Sequence, residues 1–326
     1  MHTPEDNSAR SSAGNPDLRR RGFLSGVAAL GAACALPSTG AATLRQPGAS
    51  GAGPQLAPSA GRPTAKARNV IFLVADGMSA GAISLMDQHL FYTTGKRSTW
   101  VQTVAKASTR RSLQTTHCAD SAVPDSAAAS TAWRPALKHN MQPLCVTPDG
   151  KKPVPLLIRA QSSGRAVGCV TTTTITHATP AGFYANLIER NNEAMIGEQL
   201  LERQIDVALG GGSSFVDLAS PVAKTAVADG LRIVTSKTEL LAAQTSLSAG
   251  HQSAKKHRLL GLFNPSHINY VLDRQPSEPD LREMVAAGLT ALASGPDPFV
   301  LQIEAGRVDH AGHNNDAGAL LAEMLE

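Results

Sequence analysis

The chain has 326 residues, 42% of them hydrophobic, which excludes global disorder and leaves room for one large domain or two modest ones. The formal charge is +4. Positions 1–45 hold five basic residues (Arg10, Arg19, Arg20, Arg21, Arg45) and three acids (Glu5, Asp6, Asp17), so the net charge beyond them is only +2, too weak a field to argue for a nucleic-acid partner.

Residues 1–42 read as an export signal. Arg20-Arg21-Gly22-Phe23-Leu24 fits a twin-arginine signal, an apolar stretch runs from Phe23 to Leu36, and small residues follow from Ser38 to Ala42. The apolar stretch is too short to span a bilayer stably, so a cleaved signal and a periplasmic or secreted destination are expected, with no membrane span. The alternative is a basic tail beside an Ala-rich helix. Cys34 is a candidate for lipidation, although Gly31 stands where a lipobox prefers Leu. Residues 43–67, rich in Pro, Gly, Ala and Ser, read as a flexible linker, and residues 68–326 as a catalytic domain.

Order is expected from Arg68. The continuous apolar run Asn69–Ala75 predicts a strand buried on both faces, ended by Asp76-Gly77, with a helix from Met78 to Leu90. A second strand, Val167–Thr176, ends at His177-Ala178-Thr179-Pro180, and helix is expected from there to about Glu202. Short strands follow at Ile205–Leu209, closed by three glycines, and at Leu231–Thr235. Leu281–Ala293 predicts a helix and Phe299–Glu304 a further buried strand. The alternation of strand and helix defines the expected fold class: α/β, a three-layer αβα sandwich around a mostly parallel sheet. Asp76, Thr179 and Glu304 all fall at or just past the C-terminal ends of these strands, the edge where open α/β sheets bind ligands. Turn preference alone accounts for Asp76 or Thr179, and less well for an acid directly after a buried strand.

The absence of G-x-G-x-x-G after a strand, and of G-x-x-x-x-G-K-[ST], H-E-x-x-H and G-x-S-x-G, disfavours dinucleotide binding, P-loop chemistry, zincin proteolysis and the esterase elbow. Three cysteines follow the signal. Cys118–Cys145 is the candidate disulfide for an oxidising destination, although spacing does not decide it, and without a C-x-x-C pair a zinc finger or thioredoxin-type site is excluded. Asp125-Ser126 before an Ala run reads as a helix start. There Ser126 is a candidate nucleophile beneath an anion held by free N–H groups, or simply half of an N-cap pair. Asp309 and His313 are four apart, so on a helix they share a face, and carboxylate plus imidazole suits zinc.

Together, Asp76-Gly77-Met78, Asp125-Ser126-Ala127, His177-Ala178-Thr179-Pro180 and Glu304…Asp309…His313 resemble the alkaline phosphatase family in order and spacing, as does Leu259-Leu260-Gly261-Leu262-Phe263. The resemblance covers roughly residues 68–326. It implies hydrolysis of small phosphate monoesters through a phosphoserine, with two zinc ions (Zn2+) and one magnesium (Mg2+), and a homodimer as a candidate assembly. By position Asp76 resembles the carboxylate bridging the serine-side zinc and the magnesium, Ser126 the nucleophile, Thr179 and Glu304 the remaining magnesium ligands, Arg190 the phosphate clamp, and Asp309 and His313 ligands of the outer zinc. Asp125 precedes the nucleophile, and His177 and His310 fall at two variable positions near the magnesium and phosphate. In this scheme zinc lowers the serine pKa in place of a histidine base, and the planar arginine fork holds two phosphoryl oxygens.

Two departures stand out. The family carries an Asp-His pair on a later strand and a further His beyond it, and neither lies within these 326 residues, so the last part of the fold is expected to be missing and the sheet to have a bare edge near Phe299–Ile303. Arg134-Pro135-Ala136-Leu137 also stands where the family often has Thr-Gly. His251, His257 and His267 are distant candidates for substitute ligands. The rival readings are an inactive chain that binds metal or phosphate, and a related phosphodiesterase or sulfatase. The sulfatase reading is disfavoured because Asp125-Ser126-Ala127 lacks the C/S-x-P-x-R context.

Overall fold

The computed structural model describes residues 67–133, 137–249 and 257–326. The expected signal, the linker to residue 66, Cys34, Arg134-Pro135-Ala136 and His251 lie outside the described residues. Six strands, β1 (Val70–Ala75), β2 (Ala166–Thr174), β3 (Val207–Gly211), β4 (Leu231–Val234), β5 (Arg258–Leu262) and β6 (Phe299–Ala305), form one sheet in the order β1-β6-β2-β3-β5-β4. Every pairing is parallel. All the strands therefore end on the same edge, and β6, late in the chain, is inserted between β1 and β2.

Helices cover both faces. On one side α3 (Ser126–Ala132), α4 (Leu156–Ser162), α5 (Ala178–Tyr184), α6 (Glu193–Glu202) and α7 (Pro221–Ala228) bury Ala127, Leu157, Ala181, Leu200 and Ala223 with Val167 and Val300 of the sheet. On the other, α8 (Lys237–Ala249) and α9 (Leu281–Ala293) bury Leu240, Ala243, Met284 and Ala287 with Val170, Leu209 and Leu301. The expected three-layer sandwich is present. Two further helices, α1 (Ala80–Thr94) and α2 (Thr99–Ala105), follow β1, while α10 (Arg307–His313) and α11 (Ala317–Leu325) follow β6, with α11 packed against α1. Among the described residues no helix is long and apolar enough to cross a membrane.

Local chemistry explains the boundaries. Ser79 Oγ accepts from Ala82 N at 3.2 Å to start α1, and Gly95 at φ +72° ends it, its N–H donating to the Phe91 carbonyl. Asp280 and Glu283 close a capping box at the start of α9. The β-branched run of β2 is buried at all nine positions, as a central parallel strand requires.

The structure corrects several expectations. The single helix read from Ala178 to Glu202 is two helices, α5 and α6. Between them Leu187 pairs with Leu144 in an isolated antiparallel bridge, and the Asn186 amide donates to the Cys145 and Pro153 carbonyls. These bonds hold the chain extended where periodicity alone continued a helix. Glu304 lies inside β6 rather than after it. Cys118 and Cys169 are free thiols and Cys145 Sγ donates to the Pro153 carbonyl, so the Cys118–Cys145 disulfide is not formed. Phe299, Val300, Leu301 and Ile303 are buried. The apolar edge is instead β1, where Val70, Ile71 and Leu73 are 43%, 52% and 60% exposed, because β6 occupies an interior place in the sheet.

Under the C-terminal end of β1, Phe72, Trp133 and Phe183 form an aromatic cluster with centroids 4.8–5.7 Å apart. Phe183 is 1% exposed. Phe183→Ala is expected to cost about 3–5 kcal/mol in urea unfolding, against less than about 1 kcal/mol for the exposed Leu73→Ala. Equal losses would refute this placing of the core.

Candidate active site

The expected site residues come from four separate elements. Asp76 follows the last residue of β1, its backbone N–H donating to the Ala305 carbonyl of β6 at 3.3 Å. Ser126 opens α3, and its hydroxyl donates to Asp76 Oδ2 at 2.9 Å although fifty positions separate the two. Thr179, in the first turn of α5, donates to the same oxygen at 3.4 Å. The turn at Gly77 makes this approach possible. Its φ is +62°, and a Cβ there would lie 2.4 Å from Asp309 Oδ1, so the turn after β1 and helix α10 interlock only with glycine at this position.

Asp125 takes the N-cap place expected for its segment and binds a second partner as well. Its Oδ1 accepts from Ala128 N at 3.0 Å as the N-cap of α3, while Oδ2 accepts from Arg190 Nη1 at 2.8 Å. The second terminal nitrogen of Arg190 lies 3.2 Å from His177 Nε2. The guanidinium is thus braced on two sides, on the turn between α5 and α6 that the sequence reading had assigned to helix.

Glu304 is fully buried. Its Oε2 accepts from Thr171 Oγ1 at 2.5 Å and Thr173 Oγ1 at 3.2 Å, while Oε1 is buried and accepts no hydrogen bond from the described residues. Burial, with Asp76 adding to it, pushes the Glu304 carboxyl up to about 8, against the pull of the Thr171, Thr179 and Thr173 hydroxyls. Asp309 is also raised, by burial and then by Asp76, with His313 and Arg190 opposing. His313 is exposed and lies 3.4 Å from Asp309 Oδ2, on the shared face that their spacing requires.

Of the two distant candidates among the described residues, His267 reaches the site. Its ring lies 5.4 Å from that of His177 and 4.6 Å from that of His310, and those two are 5.3 Å apart. His257 instead lines a crevice with Ala166, Asp206 and Asp297, at the opposite end of the strands. The ring tautomers follow from their neighbours. Thr174 N donates to His267 Nδ1 at 3.0 Å, Arg307 Nη1 to His310 Nδ1 at 2.7 Å, and Arg190 Nη2 to His177 Nε2. A nitrogen facing such donors must accept, so all three imidazoles are neutral. Burial agrees, holding His177 well below its ordinary pKa and bringing His267 down to about 4 and His310 to about 3.

The donor set can be tested against the cations implied by the sequence. Asp76, Thr179 and Glu304 offer only oxygen, the chemistry magnesium takes, and the buried, unpaired Glu304 Oε1 with two neighbouring carboxylates calls for positive charge, so these residues fit magnesium. Asp309 and His313 suit zinc in kind, but among the described residues no group of three or more His, Cys, Asp or Glu gathers as a metal site. The described residues therefore do not complete a zinc site. Sequence reasoning missed Thr171 and Thr173, which carried only a strand signal.

The C-terminal edge of the parallel sheet thus gathers Ser126, Arg190 and the carboxylates of Asp76, Glu304 and Asp309, the residues that the resemblance to the alkaline phosphatase family singles out. Comparison with known proteins agrees: the alkaline phosphatase family model matches residues 67–326, and the chain belongs to that family. Alkaline phosphatase 3 of Bacillus subtilis is 30% identical over 266 residues, 79% of this chain and 54% of that protein. The repressible alkaline phosphatase of Saccharomyces cerevisiae is 32% identical over 288 residues, 80% of this chain and 50% of its own length. The crystal structure of Thermus thermophilus alkaline phosphatase superposes with a TM-score of 0.70 at 36% identity, covering 79% of this chain and 54% of that one. The chain thus spans about half the length of these relatives.

The neutral histidines have a consequence for pH. An unfolded chain takes up a proton at His267 near its ordinary pKa of 6.5, the folded chain only near 4, so folding stability falls as pH drops through that interval. In metal-free protein His267→Asn is expected to flatten this acid loss by up to a few kcal/mol between pH 6.5 and 4, with His177 and His310 retaining theirs. Urea midpoints at several pH values measure it, and an unchanged slope would contradict a half-buried neutral His267.

Proposed function

We propose that this chain carries the nucleophile, phosphate clamp and magnesium-side residues of a phosphate-monoester hydrolase that works through a phosphoserine. The observation that carries this reading is the Ser126 hydroxyl donating to Asp76 Oδ2 at 2.9 Å, beside an Arg190 braced by the adjacent Asp125.

In this reading Ser126 Oγ attacks the phosphorus, the bond from phosphorus to the ester oxygen breaks, and the departing oxygen takes a proton from water to leave as the alcohol; water then attacks the phosphoserine, the Ser126 Oγ–P bond breaks, Oγ regains its proton and inorganic phosphate leaves. The existing hydrogen bond of Ser126 gives the serine proton an acceptor at Asp76 Oδ2. Asp125 and His177 hold the guanidinium plane of Arg190, whose other N–H donors face the charge that develops on the phosphoryl oxygens. Neutral His177 braces Arg190 through its accepting Nε2, and neither His177 nor His310 adds positive charge to repel a cation. Bound divalent cations supply charge neutralisation for the phosphoryl group and its leaving oxygen. Asp76, Thr179 and Glu304 are the residues for magnesium, and Asp309 with His313 are contributors to zinc. The substrates are small phosphate monoesters, the assembly implied is a homodimer, and Arg20-Arg21 direct twin-arginine export to the periplasm or beyond.

A second reading is favoured by one observation. Because no group of three or more His, Cys, Asp or Glu among the described residues is placed to hold one metal ion, residues 1–326 on their own bind a cation and phosphate with little turnover. Bound zinc by elemental analysis, measured beside the rate on a chromogenic monoester, separates the two readings.

With labelled phosphate ester and an acid quench, label is expected at Ser126 in whatever form of the protein turns over. Ser126→Ala should abolish the label and lower kcat by about a thousandfold or more, leaving a residual rate. Label mapped to another residue would end the assignment. Exchanging Arg20 and Arg21 together for lysine is expected to hold the chain in the cytoplasmic fraction, and undiminished export of the double variant would exclude the twin-arginine route.

A further inference from the structure

We propose that Thr171 and Thr173 are positioning residues that set which divalent cation Glu304 accepts, by tying down one carboxylate oxygen and presenting the other as a single donor. The inference rests on the reading that Asp76, Thr179 and Glu304 hold a cation. Its own ground is the strand register. Thr171 is the direct partner of Glu304 across the β2–β6 pairing, and beyond it β2 departs from regular register between Val170 and Thr174, where Thr173 also reaches the Glu304 carboxylate. Both threonines and Glu304 are fully buried.

The Thr171 hydroxyl is not free to turn elsewhere, whereas the Thr173 hydroxyl shares its proton between Glu304 Oε2 and the Thr174 carbonyl at 3.1 Å. Thr171 Oγ1 accepts from Thr173 N at 2.9 Å and lies 2.8 Å from Thr173 Oγ1, so its own proton is left for Glu304 Oε2 at 2.5 Å. Thr173 Oγ1 lies 3.2 Å from the same oxygen. Gly306 closes the pocket from the other side, since a Cβ there would lie 2.4 Å from Thr173 Cγ2 and 2.9 Å from the Glu304 carboxyl carbon. Rotation of the carboxylate is blocked, and only Oε1 is without a hydrogen-bond partner.

A carboxylate restricted to one oxygen suits magnesium, which takes six ligands at about 2.0–2.1 Å in near-ideal octahedral geometry. Calcium takes six to eight oxygens at about 2.3–2.6 Å and readily uses both oxygens of a carboxylate. The hydroxyl pair withholds the second oxygen, so it discriminates against calcium through geometry rather than charge. Nothing in the β-branched run of β2 requires this, since valine satisfies strand propensity and burial equally well.

The test is calorimetric titration of the full 326-residue chain with magnesium alone and with calcium alone, for the wild type, the pair T171V/T173V and the pair T171S/T173S. The valine pair is expected to weaken magnesium binding and to narrow the magnesium-over-calcium preference, each by roughly tenfold, while the serine pair, which keeps the hydroxyls, retains the wild-type ratio. A folded valine pair with an unchanged ratio would overturn the proposal and leave the threonines a purely structural role. Where the double variant does not fold, T173V alone removes the longer bond and must still narrow the ratio; no change overturns the proposal equally. A wild-type chain that binds neither cation refutes the underlying cation site, a failure distinct from binding without discrimination.

Discussion

The site is organised around a repulsion. Asp76, Glu304 and Asp309 come from two neighbouring strand ends and the helix that follows one of them, and Asp76 raises the pKa of both of the others. Like charges brought together away from water cost several kcal/mol unless protonated or neutralised by a cation. The surrounding structure is arranged to bear that cost. The Thr171 and Thr173 hydroxyls face one oxygen of Glu304, the Ser126 hydroxyl and Thr179 face Asp76, and His313 and Arg190 act on Asp309. Almost all of these donors are neutral. The nearest histidines are neutral as well, with tautomers dictated by Arg190, Arg307 and a backbone N–H. Positive charge at the centre of the cluster is thus left for a ligand to bring, while the arginine stays at its edge.

The parallel sheet makes this gathering inevitable once the topology is set. With β6 between β1 and β2, Val74, Glu304 and Thr171 fall in one register row, and the segments after β1 and β2 leave on the same side. Two glycines then let the elements close in, Gly77 against Asp309 and Gly306 against Glu304. Neither position tolerates a side chain, so the fold reaches into the site through backbone spacing as much as through the residues that bear the chemistry.

Much of this was legible in the sequence, and for identifiable reasons. An apolar run marks a parallel strand, so Asn69–Ala75 and Phe299–Glu304 are legible as strands, and polar residues at their ends mark the edge of the sheet; the burial on both faces that the run implies holds for β6 but not for the edge strand β1. The site residues that sit at those ends, Asp76, Thr179 and Glu304, come together as read. What the sequence hid depends on long-range pairing. The break that gives Arg190 its place comes from Leu187 pairing with Leu144, forty-three positions away, and leaves no periodic trace. Thr171 and Thr173 were concealed because the residue type that orients Glu304 is also a good strand former. His267 joins His177 and His310 only through the return of the chain after β5, and the bare edge was placed on β6 because order along the chain does not reveal order across the sheet.

Strand β1 ties two properties of the molecule together. Among the described residues it is held on one side only, by β6, and its other edge presents unpaired backbone groups beside exposed Val70, Ile71 and Leu73. The same strand ends one residue before Asp76, the carboxylate shared by Ser126 and Thr179. Any segment that adds itself to this edge therefore also restrains Asp76, and a cation gripping Asp76 in turn steadies the strand against fraying. Association at the edge and occupancy of the site are then thermodynamically linked, each raising the affinity of the other by the same factor.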